Sequence, residues 1–136
     1  MSPPSAPWDR CGAVGVGVGR NGTLYVADTI NNRIAAIPNA IFRMHSAGTG
    51  VTVSKGSALK GPLGLVIAPN GDILTVNSLN GNLVETTPHG AQIAVKKLDT
   101  SGSSPGAGAL FGLAVAPRGS GVYFVDDAVN TLDLLH

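Results

Sequence analysis

The chain has 136 residues, of which only 12% are charged and 4% aromatic, with 19 glycines and a formal net charge of +1. That length suits one domain, able to bury roughly two-thirds of its unfolded surface. The charge balance supplies no broad field to draw in nucleic acid or an acidic membrane surface. No apolar run approaches the ~18 residues of a membrane-spanning helix.

The opening stretch, MSPPSAPWDRCGA, is Pro-rich and lacks the charged-then-apolar order of a secretory leader. We read residues 1–13 as a tail. Cys11 is alone, so no internal disulfide forms and the redox compartment stays open. A first strand is expected over about 14–18, where Val alternates with Gly. Asn21-Gly22 then supplies the positive φ of a hairpin turn. A second strand follows over 23–27, then the polar loop DTINN, a third strand over 33–37 and a fourth over 50–54.

This pattern returns. Asp28, Asn77 and Asp126 are spaced by 49 residues, as are Ile34, Leu83 and Leu132. Gly15 and Gly64 are also 49 apart, and Gly112 follows after 48. The missing residue reappears where Asn-Gly becomes Arg118-Gly-Ser-Gly121. The second copy places strands at 64–68, 72–76, 82–87 and 91–97. The third places them at 112–116, 122–125 and 131–135, with no room for a fourth. Periodic four-stranded units of about 40–50 residues point to an all-β chain of β-propeller blades. The blades are expected at about 14–54, 63–97 and 111–136, the last incomplete. Propellers close with ~4–8 blades, so three blades form an open half-ring unless two chains dimerise or the chain is the C-terminal part of a longer one. A Pro-rich N-terminus is a poor strand to complete the last blade, because Pro cannot donate to a ladder.

The stretches GVGVGRNGTLYVADTINNRI, GLVIAPNGDILTVNSLNGNL and GLAVAPRGSGVYFVDDAVNTL resemble the NHL repeat. That pattern is a Gly-led apolar strand, Pro-x-Gly, an apolar strand ending in Val-x-Asp, and then Asn-x-Arg-Ile. The first copy has Gly19-Arg20 in place of the Pro, and Asn82 and Thr131 stand where the other copies would carry Arg. The resemblance covers nearly all of 14–136. It implies blades of a six-bladed propeller, and a bacterial, exported parent protein.

In a propeller the first strand of each blade lines the channel. VGVGV, GLVIA and GLAVA carry no acid, base or nucleophile. The polar side chains fall instead on one loop face, with Asp28, Asn31, Asn77, Asn80, Asp126 and Asp127 as the candidate ligand-binding residues. Such oxygens can ligate Ca²⁺, and Asp126-Asp127 is the best local pair for it. Spread over three loops, they more simply hold their own backbone, with Asn32, Gly81 and Asn130 in left-handed conformation and Arg33 paired to Asp28. No resident metal or other cofactor is expected. His45, His89 and His136 are not repeat-equivalent and read as surface residues. Ser103 and Ser104 lack a nucleophile elbow, and GVGVGRNG precedes a strand where a dinucleotide loop needs a helix. The expected function is a non-catalytic scaffold that binds a protein or small molecule. The alternative is part of a metal-dependent lyase or lactonase-like propeller enzyme whose catalytic residues lie mostly elsewhere.

Overall fold

The computed structural model describes residues 13–46, 48, 50–102 and 104–136. The expected tail, with Cys11, and Ser103 therefore lie outside the described residues, although Ala13 already belongs to the first strand. Among the described residues, eleven strands form three antiparallel sheets in chain order. Sheet one holds β1 (Ala13–Val18), β2 (Leu24–Asp28), β3 (Arg33–Ile37) and β4 (Val51–Lys55). Sheet two holds β5 (Pro62–Ile67), β6 (Ile73–Asn77), β7 (Asn82–Thr86) and β8 (Gln92–Lys97). Sheet three has β9 (Leu110–Val115), β10 (Val122–Asp126) and β11 (Thr131–Leu135), and no fourth strand among the described residues. Each sheet is a meander, every strand pairing with its neighbour in sequence.

The repeat survives as register. Ala13 pairs with Asp28, Pro62 with Asn77 and Leu110 with Asp126. These pairings start β5 and β9 two residues earlier than the alternation predicts. The reason is a ladder irregularity near the start of every first strand, between Ala13 and Val16, between Pro62 and Gly64, and opposite Phe124 and Asp126. A bulge resets the period-2 pattern, so residues ahead of it fall out of phase with those behind.

The sheets stack face to face through β5, which packs against both β1 and β9. The first-strand glycines set the spacing. A Cβ on Gly15 would stand 2.5 Å from the Leu63 carbonyl oxygen, and one on Gly64 would run into the carbonyl of Phe111. Only a residue without a side chain allows this approach. Two apolar layers result. Between sheets one and two, Tyr25, Ala27 and Ile34 meet Leu59, Leu65, Ile73 and Val84. Between sheets two and three, Leu74, Val76 and Leu83 meet Leu110, Leu113, Phe124 and Leu135. Full burial of one such aliphatic side chain stabilises by about 1.5–3 kcal/mol.

Sheet two carries a local imperfection. Thr75 and Thr86 are fully buried on the face toward sheet one, and neither hydroxyl has a hydrogen-bond partner among the described residues. At the equivalent positions sheet one has Val26 and Ile37, and sheet three has Phe124 and Leu135. A buried unsatisfied hydroxyl costs about 1–3 kcal/mol. Thr75→Val keeps the shape and removes the orphan, so it is expected to stabilise the chain by about 1 kcal/mol in urea unfolding. Equal or lower stability would show that the hydroxyl is satisfied.

Candidate functional site

The register puts the β2–β3, β6–β7 and β10–β11 loops on one face of the stack, together with the connections that enter sheets two and three. The backbone there is as expected: Asn32, Gly81 and Asn130 have φ of 51°, 65° and 55°. Each loop is closed by a polar side chain at the end of its second strand, in three different ways.

In the first loop Asp28 is buried and accepts from the Asn31 backbone N–H at 3.4 Å and from the Asn31 amide at 3.0 Å. Arg33 Nε donates to its Oδ2 at 2.8 Å, forming the expected ion pair. Burial alone would raise the Asp28 pKa, but the hydrogen bonds from Arg33 and Asn31 and the Arg33 charge together hold it below the usual carboxylate range. The pair therefore stabilises the fold above the unfolded pKa of about 4 and is lost as pH falls through the lower folded value. Asn32 ties this loop to the next sheet, its side-chain oxygen accepting from Gly61 N–H at 2.7 Å. Thr29 adds a bond from its hydroxyl to the Pro62 carbonyl at 2.7 Å.

In the second loop the expectation needs correcting. Asn77 does not hold its own backbone. Its Oδ1 accepts from Lys60 N–H at 3.1 Å and its amide donates to the Ala58 carbonyl at 2.8 Å, so it grips the strand-entry connection instead. Its amide also reaches Asn80 Oδ1 at 3.0 Å, and that oxygen accepts from Asn82 N–H. An amide both donates and accepts, which lets Asn77 bridge two segments where a carboxylate would serve only donors.

In the third loop Asp126 is buried and accepts from Ala128 N–H at 3.1 Å. Asp127 is exposed, and its backbone N–H donates to the Ala109 carbonyl at 2.7 Å. The carboxylate that meets Asp126 is Asp99, from the connection between β8 and β9. Burial, and then the hydrogen bond and charge of Asp99, push the Asp126 pKa up. Bonds from the Ser101 hydroxyl at 2.6 Å and backbone N–H at 2.7 Å, with the contact to Asp126, hold Asp99 down. Among the described residues no three His, Cys, Asp or Glu side chains converge as a metal cluster.

Two features escaped the sequence reading. Asp99 is one. The other is a set of apolar loop tips on the same face: Ile30, Leu79 and Val129 are 61%, 60% and 56% exposed. Ile30 and Leu79 are 49 residues apart, so the signal was in the repeat itself. An open groove of about 610 Å³ lies elsewhere, between the outer strands of sheets one and two, lined by Val53, Lys55, Ala58, Gln92 and Val95.

With this geometry established, the backbone is similar to solved β-propellers. A catalytically inactive virginiamycin B lyase from Staphylococcus aureus, solved with quinupristin, superposes with a TM-score of 0.66 at 15% identity, over 98% of this chain and 43% of that one. The chain is built of β-propeller blades. A regucalcin from Agrobacterium tumefaciens, named a calcium-binding protein, gives 0.64 at 20% identity over 86% and 40%. A putative gluconolactonase gives 0.55 at 16% identity over 91% and 40%. The chain spans about two fifths of the length of these propellers. No protein-family profile and no curated protein sequence matches it.

The acid pair makes a pH prediction. A raised Asp126 pKa means that ionisation penalises the folded state once pH exceeds the unfolded value of about 4. Asp126→Asn keeps an acceptor for Ala128 and gains a donor toward Asp99. It is expected to leave the chain at least as stable at pH 7 as the parent, with a flatter stability profile between pH 4 and 7. Thermal melts across that range check this. A clear loss of stability at pH 7 would show that the charge itself is needed.

Proposed function

We propose that this chain is an NHL-type propeller segment that serves as a binding scaffold, with the loop face as the contact surface. One observation carries the reading: Asp28, Asn77 and Asp126 are engaged by the fold's own backbone, while Ile30, Leu79 and Val129 stand exposed at the three loop tips. Loops held this way present a preset surface, so little ordering is lost on binding. Aliphatic tips beside exposed Asp127 and Thr100 suit a partner with its own apolar anchor and polar rim, a protein or a peptide before a charged metabolite.

A second reading is supported by the Asp99–Asp126 pair. A carboxyl with a raised pKa beside a lowered one is the arrangement acid–base sites use. The similarity to propellers named as a lyase and a gluconolactonase agrees with it. Under that reading the chain supplies a part of a propeller enzyme, with other catalytic residues from beyond the segment.

A photo-crosslinking amino acid at Leu79 separates the two from a control at Pro88, in the turn between β7 and β8 on the opposite face. In an extract of the source cells the scaffold reading expects one discrete adduct from the Leu79 probe only, abolished when Ile30 and Val129 are changed to Ser. Equal labelling at both positions, or none, would overturn it.

A further inference from the structure

The two end faces of the stack are the two halves of a contact that the chain makes twice within itself. Blade one turns Tyr25, Ala27 and Ile34 toward blade two, and blade two turns Leu74, Val76 and Leu83 toward blade three. One repeat further on, these positions are Tyr123, Val125 and Leu132. They keep their apolar character but lose their cover: Ile34 is 0% exposed, Leu83 8% and Leu132 68%. The glycines tell the same story. Added Cβ atoms on Gly15 and Gly64 would strike the first strand of the next blade, whereas among the described residues one on Gly112 would meet nothing closer than Val125 of its own blade at 3.7 Å. Gly112 has the shape of a blade contact with no blade against it.

The complementary half is at the other end of this same chain. Blade two offers Leu65 and Ile67 to blade one. The equivalents in blade one are Val16 and Val18, exposed by 57% and 54%, where Leu65 is 6% exposed. From this we infer that the partner of the blade-three face is the blade-one face of a second copy, in a head-to-tail contact made twice. A head-to-tail contact closes into a ring when its rotation divides the circle. Two chains of three blades give six, inside the ~4–8 range of closed propellers. Closure would also bury apolar surface of a kind that soluble chains rarely leave exposed as one patch. This surface is separate from the loop face, so its failure leaves the scaffold reading untouched.

The test is the solution mass by light scattering at micromolar concentrations, for the parent chain, Leu132→Glu and Val16→Glu, with circular dichroism to check that each keeps its strands. The parent is expected at twice the 13.7 kDa of one chain, and each variant at the monomer mass. Mixing the two variants is expected to restore a dimer in part, because the Val16→Glu chain keeps an intact blade-three face and the Leu132→Glu chain an intact blade-one face. A monomeric parent, an assembly larger than a dimer, or a dimer indifferent to both substitutions would overturn the inference.

Discussion

The structure depends on the close approach of backbones along the first strands. At Gly15 and Gly64 the neighbouring blade's peptide groups occupy the space where a side chain would be. That approach sets the distance between sheets, and the distance decides which side chains interlock. Ile34, Val76 and Val84 are fully buried because the first strands come this near. The same stacking brings the connection entering blade two beside the loop of blade one, where Asn32 binds it, while Asn77 binds that connection from blade two's own loop. Spacing, packing and loop geometry are one dependent series.

The loop face inherits its character from that series. Asp28, Asn77 and Asp126 are turned inward onto their own blades' loops and entry connection, and Asn32 reaches across to the next blade. What remains outward is apolar at the tips and polar around them. Asp126 is the exception, a carboxylate buried against another carboxylate where blade two uses the neutral Asn77. Two repeats meet the same requirement with different electrostatics, and only the acidic version responds to pH.

The repeat made the architecture legible. Equal spacing of Asp28, Asn77 and Asp126 carried the meander and the left-handed residues at 32, 81 and 130. The strand starts were not legible, because a bulge shifts the alternation ahead of Gly64 and Gly112. The partner of Asn77 was hidden, since Lys60 and Ala58 come near it only through tertiary packing. So was the Asp99–Asp126 pair, whose members are 27 positions apart in sequence and share no repeat position. Adjacent Asp127 looked like the partner, but side chains next to each other at a strand end diverge to opposite sides.

The account's central claim is that blades are stabilised by their neighbours through the first-strand contact, and not sheet by sheet. Native-state hydrogen exchange, resolved by residue, tests this most directly. Amides of β5 and β6, covered on both faces in blade two, should exchange slowest, with protection falling outward to the β4 and β8 edges. Slower exchange in β4 or β8 than in β6, or three blades that open independently, would contradict it.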